Sequence, residues 1–158
     1  MSYNRSDAVA YARKWALSRN PKYYNFDAVG GDCTSFVSQC LFAGFKVMNY
    51  NYLKGWYYKN GNDKSPSWSG VEFLYEFLIN NKLAGPKGVL VSRNDIEIGD
   101  IAQLSFDGSV FGHSLLITKI ENKQDLSGIF VSAHTFDALD KRISEYNFSK
   151  IRFIHIKD

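Results

Sequence analysis

The chain is poor in the residues that usually announce a metal centre, a disulfide scaffold or a nucleic-acid surface. It has two cysteines and three histidines in 158 residues. Two cysteines cannot build a disulfide framework. Charge of one sign is also scarce: 19 basic against 16 acidic side chains leave +3, scattered rather than blocked. A nucleic-acid partner is therefore not expected, because such a surface must neutralise several phosphates. The longest apolar runs, at 114–118 and 128–133, fall far short of the ~20 residues of a membrane span. Residues 1–5 contain no apolar stretch that would serve as a signal peptide. The localisation expected is secreted or envelope-bound only if the chain is the mature part of a longer precursor, and otherwise cytoplasmic. Repeats, low-complexity tracts and linkers are missing too, which predicts one domain over 1–158. Aromatic residues, by contrast, are abundant: ten Tyr, twelve Phe and three Trp, or 16%.

The apolar pattern begins helical and ends extended. Ala8, Tyr11, Ala12, Trp15 and Ala16 recur at helical spacing over 6–17, before Asn20-Pro21. Phe36, Val37, Cys40 and Leu41 do the same in a segment that runs from Asp32-Cys33 to Gly44. Residues seven apart on a helix share a face but lie about 10 Å apart along its axis, so Cys33 and Cys40 cannot pair. Cys33 stands at the helix mouth, and Cys40 falls within the apolar stripe as a core residue. A long irregular stretch, 46–68, carries Tyr50, Tyr52, Trp56, Tyr57, Tyr58 and Trp68 among polar residues. A third helix is expected from Ser69, with Glu72 completing a capping box and Phe73, Leu74, Phe77 and Leu78 buried. Strands follow at 88–91, 101–106, 113–120, 128–133 and 151–156. Consecutive strands with short connections imply antiparallel pairing and an α+β fold.

Three places carry chemistry. In Gly30-Gly31-Asp32-Cys33-Thr34, a thiol on the first turn of a helix meets unpaired N–H groups and the positive end of the dipole. Those N–H groups can also receive an oxyanion. In Phe111-Gly112-His113-Ser114, a histidine opens an apolar strand at the rim of the sheet, where a general base for a thiol is needed. Its titration is expected near the reference of about 6.5. In Ala133-His134-Thr135-Phe136-Asp137, the next strand ends. If 113–120 and 128–134 form a hairpin, His134 or Asp137 comes beside His113 and orients it. Spacing does not choose between them. His155, in the last strand, reads as structural. Cys33, His113 and His134 together are also a conceivable zinc set, although no close-spaced ligand pair occurs. A non-catalytic binding module on the same fold is the other rival.

Gly30-Gly31-Asp32-Cys33-Thr34-Ser35-Phe36-Val37-Ser38-Gln39-Cys40-Leu41, then Gly99-Asp100-Ile101, Gly112-His113-Ser114 and Ala133-His134-Thr135, resemble the bacterial "putative amidase domain" family. That family is similar to papain-like peptidoglycan hydrolases of the NlpC and CHAP type, and the likeness runs over essentially the whole chain. The resemblance implies a papain-like fold and a cysteine amidase or peptidase acting through a thioacyl-enzyme. It implies Cys33 as nucleophile, His113 as base and His134 as the third member, with Asp137 as the alternative. Asp32 is carried over as a contact for a substrate amine, with Thr34 beside it. Trp56, Tyr57, Tyr58 and Trp68 are the candidate walls of a groove for sugar rings or a stem peptide, unless they only cover the interface of helix and sheet. Peptidoglycan or a peptide amide is the expected partner, with no cofactor, no metal and a monomeric chain. Two papain features are missing: Asp27 stands six residues before the cysteine where papain has Gln, and no Trp follows the cysteine.

Overall fold

A computed structural model describes residues 2–158. Helix α1 (Arg5–Trp15) starts where the Asn4 side chain accepts the Asp7 N–H, and it buries Ala8, Val9 and Ala12. Helix α2 (Cys33–Phe45) is buried over most of its circumference and stops at Lys46 in the left-handed region, φ 60°. A two-stranded ribbon follows, β1 (Tyr58–Asn60) with β2 (Asp63–Lys64). The short helix α3 (Pro66–Ser69) and helix α4 (Val71–Asn80) come next.

The rest of the chain is a six-stranded sheet: β3 (Lys87–Val91), β4 (Ile101–Ser105), β5 (His113–Ile120), β6 (Ile129–Ala133), β7 (Ala138–Arg142) and β8 (Lys150–Lys157). Its order is β3-β8-β4-β5-β6-β7 and every pairing is antiparallel. The fold is α+β, as the change in periodicity predicts.

Side chains alternate across the sheet, and both faces are covered. Ile101, Leu116, Ile154 and Ile156 pack with α1, α2 and α4 in one core. Ala102, Leu104, Leu115, Ile117, Val131, Ala133 and Phe153 pack with Ile96 and Ile143 in a second core on the other face. Cys40 is fully buried in the helical core.

The third helix departs from expectation. Ser69 ends α3 rather than capping α4, whose N-cap is Gly70 without a side-chain bond. Phe73 is 61% exposed, and Glu72 pairs with Arg152 instead of closing a capping box. Strand β7 carries no apolar alternation because it is an edge, where charged side chains such as Asp140, Lys141 and Arg142 are the rule.

Candidate active site

The mouth of α2 is shaped by backbone conformation. Gly30 and Gly31 lie at φ 85° and 100°, a region open to glycine without strain. A Cβ on Gly31 would also crowd Thr135 Oγ1 at 3.1 Å. These turns deliver Asp32 as N-cap and Cys33 as the first helical residue.

The Cys33 sulfur lies against β5. It is reached by the backbone N–H of Ser114 and by Thr34, whose hydroxyl is 3.8 Å away. Burial pushes the thiol above its ordinary range, and these donors only partly pull it back. The sulfur is surrounded by groups able to donate hydrogen bonds to an anion. Thr34 is 1% exposed, and its hydroxyl bonds Ser114 Oγ at 2.9 Å. It braces the helix on the strand and leaves no surface for a substrate.

Asp32 is equally buried. One carboxylate oxygen accepts the Phe26 N–H at 2.9 Å, and the other meets His134 Nδ1 at 2.6 Å. No face of this carboxylate remains for a substrate amine, so the expected substrate contact becomes a structural one. His134 Nε2 meets the Trp15 carbonyl at 2.7 Å, and the ring stacks on Phe36 with centroids 4.1 Å apart. The Trp15 carbonyl can only accept, so Nε2 carries the proton on that side of the ring. Arg19 completes the cluster: it binds Asp137 with two contacts of 2.9 Å, Asp27 with two of 3.1 Å, and approaches Asp32 at 3.8 Å.

Both candidates for orienting His113 are thus engaged elsewhere. The reason is register. Leu116 faces Ser132 and Ile117 faces Val131, so His134 shares the helix-facing side with Ser114, while His113 belongs with Leu115 and Ile117 on the other side. His113 opposes Leu104 of the second core, and its ring neighbours Phe106 and Tyr146, with centroids 6.2 and 6.0 Å away. Burial, and then the charge of Lys141, push its titration down to about 4, well below the ordinary value. Its Nε2 is buried without a partner. The three conceivable zinc ligands, Cys33, His113 and His134, are accordingly split between two faces of the sheet. Among the described residues no group of three His, Cys, Asp or Glu is placed to hold a metal ion.

The proposed groove walls are also interior or, for Tyr58, partly buried. Trp56 is fully buried and its indole N–H donates to Ser38 Oγ at 3.0 Å; Tyr57 is 6% exposed and its hydroxyl donates to Asp63. Trp56 packs at a tilt on Trp68, with centroids 4.9 Å apart, and stacks on Phe77 at 6.3 Å. His155 bonds the buried Asp100 at 2.9 Å, a structural role as expected.

One feature of the site had no counterpart in the pattern reading. Thr135 and Phe136 both have positive φ, 60° and 57°, within the turn that joins β6 to β7. Thr135 Oγ1 accepts the Asp32 N–H at 3.2 Å, and Phe136 is 85% exposed. Arg19 had no signal in the sequence either, because its partners Asp27, Asp32 and Asp137 come together only in the fold.

The α+β fold thus delivers a buried thiol to the mouth of a helix, with a backbone donor at the sulfur. The chain belongs to the family described as "Putative amidase domain", whose profile matches residues 2–156. It is 36% identical over 141 residues to the "Uncharacterized protein YhbB" of Bacillus subtilis (strain 168), covering 86% of this chain and 42% of that protein. It is 24% identical over 148 residues to the "Uncharacterized protein YjcM" of the same strain, covering 87% and 32%. The chain spans less than half the length of these curated relatives. No solved structure matches it. Among the described residues, no helix is long and apolar enough to cross a membrane.

Proposed function

We propose that the chain is a cysteine-dependent amide hydrolase acting on bacterial peptidoglycan, in the manner of the papain-like NlpC and CHAP enzymes that its motifs resemble. The observation that carries the reading is the Cys33 thiol at the start of α2 with the Ser114 N–H and the Thr34 groups at its sulfur. In the reaction the sulfur attacks the amide carbon, and the C–N bond breaks as the base passes the thiol proton to the leaving amine. Water then hydrolyses the thioester and restores the thiol. The donors at the sulfur are suited to the oxyanion of each tetrahedral intermediate.

His113 is the proposed base. A neutral imidazole accepts a proton, and its free Nε2 lets the ring leave the second core without breaking a hydrogen bond. The ring has to reach over the rim of the sheet to the sulfur, a movement helped by its place as the first residue of β5 and by the open space around Gly112. A second arrangement is favoured by one contact: Asp32 holds His134 Nδ1 as the acid of a triad holds its base. It requires Nε2 to release the Trp15 carbonyl.

The test is incubation with purified peptidoglycan and muropeptides, followed by the masses released. Wild type should cleave an amide and Cys33→Ser should not, with an unchanged melting temperature. His113→Ala should lose at least a hundredfold in kcat, whereas loss confined to His134→Ala in a still-folded protein would transfer the base to His134. A fully active Cys33→Ser ends the cysteine mechanism.

A further inference from the structure

The turn between β6 and β7 breaks several local rules at once. Two adjacent positive φ values at the centre of a hairpin turn belong to the I′ type, where Asn and Gly are at ease. Here the residues are Thr135, branched at Cβ, and Phe136. A phenylalanine usually earns its position by burial, yet this ring is 85% exposed, so no packing compensates for its backbone. Where a sequence violates local preference without structural return, function is the expected reason.

The turn is tied to the nucleophile. Thr135 Oγ1 holds the N–H of Asp32, the residue before Cys33, and lies against Gly31. Phe136 therefore follows directly on a residue that is anchored to the start of α2. Trp56 and Tyr57 are interior, whereas Phe136, at 85%, is the most exposed aromatic ring among the described residues.

We infer that Phe136 is the platform on which a sugar ring of the substrate stacks, and that its strained turn is retained to present it. The proposal rests on the peptidoglycan reading above and adds which part of that substrate this turn recognises. An aromatic face suits the flat C–H face of a pyranose, and the ring has only solvent to give up.

The experiment compares two substrates that share the same amide: a disaccharide-peptide muropeptide and the corresponding lactoyl-peptide without sugars. Phe136→Ala should raise KM for the muropeptide, lowering kcat/KM about tenfold, the scale of one stacked ring, and leave the lactoyl-peptide unaffected. Phe136→Trp should restore the muropeptide. Phe136→Gly should raise the melting temperature, because glycine relieves the backbone, while showing the same loss as Phe136→Ala. An equal effect on both substrates, or none, overturns the proposal. Calorimetric binding of the muropeptide to Cys33→Ser separates this outcome from failure of the amidase reading. If wild type cleaves neither substrate but binding occurs and weakens with Phe136→Ala, the platform stands and the hydrolase reading falls. If nothing binds, both fall.

Discussion

His134 and Asp32 are both 1% exposed, and each ring nitrogen and carboxylate oxygen has a partner. Removing one partner of a buried hydrogen bond leaves the other group unsatisfied, typically at about 1–3 kcal/mol. Chemical denaturation of His134→Ala or Asp32→Asn should therefore show a loss of about that size. The double variant Asp32→Asn/His134→Gln should lose less than the sum of the single changes; strict additivity would mean the two groups do not act as a pair. His113 gives a different signature. Its titration falls from 6.5 to about 4 on folding, so between these values the unfolded chain binds the proton and the folded chain does not. Its contribution is complete above pH 6.5 and fades as pH falls toward 4, by about 3 kcal/mol in total. The stability difference between wild type and His113→Gln should change by about 3 kcal/mol between pH 7 and pH 4, as read by denaturation. Parallel pH profiles would place the His113 ring in water.

At the scale of elements, the mouth of α2 is held by a three-way junction of the Gly30-Gly31 turn, the β6–β7 turn and the start of β5. Two non-glycine residues at positive φ cost of the order of 1–3 kcal/mol each, partly offset by the bond from the Asp32 N–H to Thr135. Gly31→Ala attacks this junction from the other side. It forces a side chain into φ 100° and against Thr135 Oγ1. It should lower the melting temperature by several degrees and diminish hydrolysis, as read by thermal melts and turnover side by side; an unchanged melt would mean that the turn relaxes freely. Elements with strong periodicity were legible: α1, α2 and the strands β3 to β6 and β8 fall where apolar spacing puts them. The exceptions have local causes. The ribbon β1–β2 and the edge strand β7 bury little, so they carry no apolar alternation. The start of α4 was misplaced because Pro66 opens a separate short helix that uses Ser69.

For the molecule as a whole, the sequence by itself determined the fold class, the antiparallel sheet and the contrast between a cysteine at a helix mouth and a cysteine in a core. These follow from periods of 3.6 and 2 and from glycines, all of which are local. Only the tertiary structure decided which residues meet. A hairpin seen in sequence brings His113 and His134 to the same end of the sheet, but neighbouring residues of a strand point to opposite faces. A register in which Leu116 faces Ser132 therefore turns His134 toward Asp32 and the Trp15 carbonyl, and His113 toward Tyr146 and Lys141. A shift of one residue would exchange these faces, and composition and spacing are unchanged by such a shift. The same holds for the aromatic residues. Trp56 and Tyr57 have the residue types of a binding groove, and it is the packing of α2, α3 and α4 that makes them interior. Phe136 lies in a polar segment, and its positive φ and its exposure, both set in the turn closing β6 onto β7, are visible only in the fold.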